Sequence, residues 1–312
     1  MNRGLLALLA LLVAVGLFAP GDYYYNFASR ILIAAIFALS LNILLGQAGL
    51  MSLGHAAYHG LAAYALAWLL ASQGWGHLAA VAAALALTAV VAAGFGLLAL
   101  RAQGTAFLMI TLALGQIVWG LAQRWTAVTG GDNGIGGLTR PSPGGLDLEP
   151  ASHFYLFAAA VFFAACWFSI RLAHSPFGAG LRGCRDQARR MSALGYNVFL
   201  LRWLGFVAAG LLAGVAGILY AYHNKFVSPH TLSLAESATV LLMVIVGGSA
   251  SALGPALGAA IVLCFAQVAS SYTEHWNAAL GVLFLLVVFL LPAGIAPGLG
   301  EGWQRLRAGR RR

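Results

Sequence analysis

The chain has 312 residues, of which 61% are hydrophobic and only 8% charged, and its formal net charge is +9. Soluble domains carry roughly 25% charged residues, and a fold of this length has too little interior to hide so much apolar surface, which excludes a soluble protein. The positive charges gather in the connections between apolar stretches, so they mark membrane topology and not a nucleic-acid partner.

A spanning helix needs about 20 apolar residues at a rise of about 1.5 Å each. In chain order the apolar stretches predict spans over 4–20, 29–46, 54–71, 78–100, 105–123, 152–171, 201–221, 236–250, 253–271 and 276–294, the eighth being short. The expected fold is an all-α integral membrane protein, a polytopic bundle of about ten transmembrane helices over residues 1–300, with a basic tail over 301–312. Arg3 precedes the first stretch as it would in a signal peptide. Its closing Ala19-Pro20 is no small-x-small cleavage site, however, and another span soon follows, so retention is expected.

With the N-terminus in the cytoplasm, the inner connections hold Arg3, Arg101, Arg171, Arg182, Arg185, Arg189, Arg190, Arg202, Arg305, Arg307, Arg310, Arg311 and Arg312. The outer side holds Arg30, Arg124, Arg140 and Lys225. Thirteen against four is the positive-inside asymmetry, and it puts both termini in the cytoplasm. Cys166, Cys184 and Cys264 fall in two spans and an inner loop, which suits neither a disulfide framework nor a metal cluster.

The second and third spans carry Asn42, Gln47, Ser52, His55 and His59 beside Gly46, Gly49 and Gly54, so the helix is expected to be interrupted there. Leaving such groups unpaired in hydrocarbon costs several kcal/mol each, roughly. They either line or shape a watery path or form a tightly packed helix junction, and residue types alone leave both open. His55 and His59 have the i,i+4 spacing that can bind a metal, but no carboxylate lies near them in sequence, so interhelical hydrogen bonds and no metal are expected. In the fifth span Gln116 and Gln123 share a face, and Gln116 joins the candidate path residues. Gly210, Gly214 and Gly217 in the seventh span, with Gly254 and Gly258 in the ninth, read as close-packing devices.

Two connections are long. The outer one, 124–151, contains Thr129-Gly-Gly-Asp-Asn-Gly-Ile-Gly-Gly-Leu138 and Pro141-Ser-Pro-Gly-Gly145. No Lys follows the glycines and no strand precedes them, so an ordered loop is expected and not a phosphate loop. The inner one, 172–200, opens with Pro176, which ends the preceding helix. From there Leu181, Cys184, Ala188, Met191 and Leu194 form one apolar stripe, with Arg182, Arg185, Arg189 and Arg190 mostly off it, up to Gly195. This amphipathic helix is either an anchor on anionic lipid or a docking element for a cytoplasmic partner.

The spans hold almost no Asp, Glu, Lys or Arg. That weakens an ion-coupled secondary transporter or a channel, which place charges at membrane depth. Glu236 at the edge of the eighth span and Glu274 in a short outer turn have no evident partner. Lys225 is the only lysine and follows Tyr222-His223-Asn224, so no ATP-binding glycine loop can be built around it. No HExxH or GxSxG motif and no paired carboxylates suggest an enzyme. If ATP drives the protein, hydrolysis occurs on another chain, and no cofactor is bound directly.

Several segments resemble, in order, the branched-chain-amino-acid class of ABC-transporter permease subunits. They are Asn42 through Ala57 with Gly60-Leu-Ala-Ala-Tyr64, Arg101 through Phe107 with Thr111 through Gln116, and Thr129-Gly-Gly131 with Gly134. Ser175-Pro-Phe-Gly178, Ala193-Leu-Gly195, Gly210 through Tyr220, Ser228-Pro229, Glu236-Ser237 and Val246 through Gly258 complete the set. The likeness covers about residues 30–295 and is closer to the longer, second permease of the heterodimeric pair. It implies an importer subunit of a bacterial inner membrane, working with a second permease, two cytoplasmic ATPase subunits and a periplasmic solute-binding protein. It also favours docking for the 172–200 loop. Relatives carry an acid-rich stretch there, where this chain has Arg185-Asp-Gln-Ala-Arg-Arg-Met191. The solutes that the resemblance implies are branched-chain amino acids, with urea, short amides and aromatic acids as alternatives.

Overall fold

The computed structural model describes residues 21–142, 147–272, 275–290 and 294–295. The expected first span, Pro143 to Leu146 of the outer loop, Glu274, most of the chain after 290 and the 301–312 tail lie outside the described residues. Within them the chain is a helical bundle. Its helices are α1 (Asp22–Asn42), α2 (Ala56–Ala71), α3 (His77–Ala99), α4 (Thr105–Arg124), α5 (Ala151–His174), α6 (Pro176–Ala193), α7 (Val198–Asn224), α8 (Leu234–Gly247), α9 (Gly254–Tyr272) and α10 (Trp276–Leu290).

Six helices are long and apolar enough to cross a membrane: α1 with the π-helical turn that continues it to Ala48, then α3, α4, α5, α7 and α9. Three shorter apolar helices accompany them, Ala56–Ala71, Leu234–Gly247 and Ala278–Val287. In α1 83% of the apolar window is buried, against 22% in α3 and α4, which makes α1 the axis of the bundle. It packs on α5, α7, α8 and α9, and α7 packs in turn on α2 and α3. Small side chains permit this. Gly210 faces Ala92 and Tyr58, Gly214 faces Thr88 and Ala62, and a Cβ on Gly217 would lie 1.9 Å from the His59 carbonyl oxygen. In lipid no hydrophobic drive separates helices from solvent, so such close approach supplies the dispersion contacts that hold them together.

One end of the bundle is closed by the 124–151 connection. Ile135–Gly136 (β1) pairs antiparallel with Phe226–Val227 (β2), Ile135 opposite Val227, a two-residue exception in a helical chain. Arg140 then takes up the last carbonyls of α7. Its Nε donates to Tyr222 O at 3.2 Å and Nη2 to His223 O at 3.3 Å, while Nη1 donates to Glu149 O at 2.9 Å. Its guanidinium also lies 4.3 Å from the centre of the Phe154 ring. A cation at a helix C-terminus meets both the unpaired carbonyls and the negative end of the dipole. Lys225 and Glu149 form an ion pair beside it, and Glu149 is held below the usual carboxylate range chiefly by the Lys225 hydrogen bond. The ordered loop expected from sequence is what the described part of this segment forms.

Two expectations are corrected. Arg30 was counted in a connection, but it lies in the third turn of α1, which begins at Asp22. A long cationic side chain can stay in a polar environment while its backbone is helical. The single stripe of the 172–200 segment is also divided. Ser175 caps α6 by accepting from Gly178 N at 3.1 Å, with Pro176 in the first turn. At Gln187 the backbone leaves the helical region (φ −152°, ψ 90°) and the helix kinks. Leu181 and Cys184, before the kink, are fully buried, whereas Leu194, after it, is 67% exposed.

The kink predicts opposite outcomes for two prolines. Cys184→Pro falls inside the first half, where it is expected to cost about 3 kcal/mol or more. Ala188→Pro follows a residue already in the extended region that proline imposes on its predecessor and occupies the first helical position after the kink, so stability should be unchanged. Thermal unfolding of the purified variants measures the difference.

Candidate functional site

Two features stand out, one at each end of α1. The first is the interruption between α1 and α2. The last turn of α1 widens to a π-helix over Ile43–Ala48, and Gly49 then adopts φ +69° before the chain runs without regular structure to a turn at His55. An interrupted helix leaves carbonyls without intrahelical partners, which inside a membrane protein must be met by other groups. Here α6 meets them. Arg185 Nη1 donates to Gly46 O at 2.6 Å, and Arg182 Nη1 donates to Gln47 Oε1 at 2.7 Å and to Ala173 O at 2.6 Å. The stem of Arg185 lies across Gly49, where a Cβ would come within 2.4 Å of it, so this position needs glycine for its conformation and for its neighbour.

The other groups of the interruption are tied to further helices. Asn42 Nδ2 donates to Ser251 O at 3.1 Å in the α8–α9 turn, and Ala56 N, at the start of α2, donates to Ser237 Oγ at 3.0 Å. Ser40 Oγ and His55 Nε2 lie 2.8 Å apart, an interhelical hydrogen bond of the kind expected for that histidine. Ser52 is buried, and among the described residues its hydroxyl has no partner. Gly54 lies directly against the Thr111 carbonyl of α4. Gln116 is half-buried further along α4. Asn42, Gln47, Ser52 and His55 are thus brought together at one junction, and Gln116 is not part of it.

The second feature is a cavity of about 530 Å3 between α1, α7, α8, α9 and α10, at the end that Arg140 closes. Its floor is buried and apolar, with Ile33, Phe37, Val240, Met243, Val262 and Leu263. His59 joins it there. Its ring stacks on Phe37 with centroids 4.6 Å apart, and its buried Nδ1 has no partner among the described residues. The mouth is polar. Ser233 caps α8 by accepting from Glu236 N at 3.3 Å, while the Glu236 carboxylate turns to His230, with Oε1 3.5 Å from Nδ1. Across the mouth Gln267 Nε2 donates to Tyr23 Oη at 3.2 Å. Arg30 lines the same mouth, and among the described residues it makes no hydrogen bond or ion pair.

None of Asn42, Gln47, Ser52, His55 and Gln116 lines this cavity. Arg30 and Glu236 do, and sequence reasoning missed both roles. A signal was present. Arg30, Ile33, Ala34 and Phe37 follow helical spacing, so the charge shares a face with apolar residues inside a predicted span. Ser233-x-x-Glu236 is also a capping-box pattern at the start of the eighth predicted span.

The family model of the branched-chain amino acid transport system permease component matches residues 23–292. The chain is 30% identical, over 94% of its own length and 74% of the relative's, to the high-affinity branched-chain amino acid transport system permease protein LivM of Escherichia coli. It is 29% identical to the protein of that name in Salmonella typhimurium, over 87% of this chain and 69% of the other. A shorter match, 31% identical over 32% of this chain and 30% of the relative, is to the guanosine ABC transporter permease protein NupQ of Bacillus subtilis. No solved structure matches the chain.

The clasp on the interruption can be tested locally. Arg185→Gln removes a charge-assisted bond to Gly46 O worth about 1.5–3 kcal/mol. Amide hydrogen exchange over residues 43–54 should rise while that of α7 stays the same. Unchanged exchange in 43–54 would show that the interruption holds its shape without Arg185.

Proposed function

This chain belongs to the branched-chain amino acid permease family, and on that premise we propose that it is one of two membrane subunits of an ATP-driven importer for branched-chain amino acids. In this reading the chain crosses a bacterial inner membrane ten times with both termini in the cytoplasm. The thirteen-to-four split of basic residues supports the orientation. The Arg185 end then faces the cytoplasm and the Arg140 end the periplasm. A second permease completes the path, two cytoplasmic ATPases supply the energy that this chain has no nucleotide motif to supply, and a periplasmic binding protein delivers the solute.

The observation that carries the reading is the clasp of Arg182 and Arg185 on the interruption after α1. Force applied to the 172–200 segment by an ATPase reaches the central helix through two charge-assisted hydrogen bonds to Gly46 and Gln47. Leu181 and Cys184 seat the first half of α6 in the bundle, while Ala188, Met191, Leu194 and Gly195 follow the kink toward the surface that meets the ATPase. Asn42, Gln47, Ser52 and His55 act in this scheme as the inner closure of the path, held shut by α6 and the α8–α9 turn. Gln116 faces the path from α4.

An ion-coupled transporter is the competing reading, and charges in the cavity, Arg30 and Glu236, are what favour it. Liposomes that hold the complex with its partners separate the two. Uptake of leucine against a gradient should require internal ATP. Uptake driven by a proton or sodium gradient alone would overturn the importer.

Sidedness is tested separately by single cysteines in intact cells. Position 135 should label from outside and position 186 only after the membrane is opened. Labelling of 186 from outside would overturn the ten-span topology.

A further inference from the structure

The cavity at the Arg140 end combines three things that rarely share one small space. It holds a guanidinium, a carboxylate and a buried aliphatic floor. Arg30 comes from α1 and Glu236 from α8, so the two charges approach from different helices. Both line the same cavity, and among the described residues they form no ion pair with each other within 4 Å. The Glu236 carboxylate lies 3.5 Å from His230 Nδ1, and Arg30 has no hydrogen-bond partner among the described residues. Below them Ile33, Phe37, Val240, Met243, Val262 and Leu263 present apolar surface, all of them buried. A volume of about 530 Å3 is in the range of small-molecule sites.

We propose that this cavity is a binding site for the zwitterion of an α-amino acid with an aliphatic side chain, its carboxylate on Arg30, its ammonium on Glu236 and its side chain on the floor. The proposal rests on the reading of the chain as an amino-acid permease subunit and adds the recognition chemistry to it. Each charge of the ligand meets the opposite fixed charge, and bonds of that kind are stronger and shorter than neutral ones. The helical framework sets the spacing, since Arg30 and Phe37 lie seven residues apart on one face of α1, and Glu236, Val240 and Met243 follow one face of α8. A cation or an anion alone would satisfy only one of the two charges, and a neutral amide would satisfy neither fully. The cavity therefore favours amino acids over urea and short amides.

The test uses the complete transporter in nanodiscs, without nucleotide and without binding protein, and displacement of radiolabelled L-leucine. Three competitors are compared: leucine, 3-methylbutylamine, which lacks the carboxylate, and 4-methylpentanoate, which lacks the ammonium. In the native protein each analogue should compete about tenfold or more weakly than leucine, the loss expected for one charge-assisted bond. Arg30→Gln should weaken leucine and 4-methylpentanoate and leave 3-methylbutylamine unchanged. Glu236→Gln should weaken leucine and 3-methylbutylamine and leave 4-methylpentanoate unchanged. The retained analogue in each variant shows that the protein is folded. Equal affinity for all three competitors, or analogue preferences that neither substitution changes, would overturn the site. So would a failure to bind leucine in a complex that still imports it with ATP, an outcome that leaves the importer reading intact. Charge-dependent leucine binding in a complex that imports nothing with ATP would instead uphold the site and overturn the importer.

Discussion

The carbonyl of Gly46 has no partner within its own helix, and much of the bundle is arranged around that fact. A chain that crosses lipid must satisfy each backbone polar group within protein. α1 has the most buried apolar window of the six long spans, and it ends in a widened turn followed by chain without regular structure. The missing bonds come from elsewhere: Arg185 and Arg182 from α6, Ser237 from α8 for the start of α2, and a hydrogen bond from Asn42 to the α8–α9 turn. Three regions distant from it in sequence, α6, α8 and the α8–α9 turn, converge there. Removing any one partner leaves a buried polar group exposed to the full desolvation cost, about 1–3 kcal/mol for a neutral group.

Much of this was legible in the sequence. Hydrophobic runs of the right length marked nine apolar helices among the described residues, since burial in lipid demands apolar side chains all round and leaves little ambiguity. The interruption was legible too, because Gly46, Gly49 and Gly54 next to Asn42, Gln47 and Ser52 are residues that a continuous lipid-embedded helix would avoid. What could not be read was partnership. Spacing in sequence says that Arg182 and Arg185 leave the apolar stripe, but only three dimensions bring them to Gly46 and Gln47. The bend at Gln187 was hidden for a different reason. The stripe from Leu181 to Leu194 keeps helical spacing through it, and no glycine or proline marks the break.

Charge misled where it was read only as topology. Arg30 fits the count of outer cations whether it sits in a loop or in the third turn of a helix, so the count could not locate it. Its position on the face of α1 that carries Ile33 and Phe37 makes it part of a cavity wall. Arg140, by contrast, was counted in the same way and does belong to a connection. There it binds the last carbonyls of α7 and fixes the loop that covers the bundle. Two arginines of one topological class thus differ in what they face, one a helix end and the other an open space.

The kink at Gln187 divides labour within a single segment. The half before it is committed to the bundle through Leu181, Cys184, Arg182 and Arg185, and any change there disturbs the protein's own interior. The half after it touches the bundle lightly: Met191 rests against Gly183, and Leu194 and Tyr196 are exposed. Apart from Gly195, whose φ of 88° favours glycine, the exposed residues of 188–196 can change with little effect on the bundle. On the proposed reading, a few surface changes there alter which ATPase fits, while the bonds from Arg182 and Arg185 to Gln47 and Gly46 stay as they are.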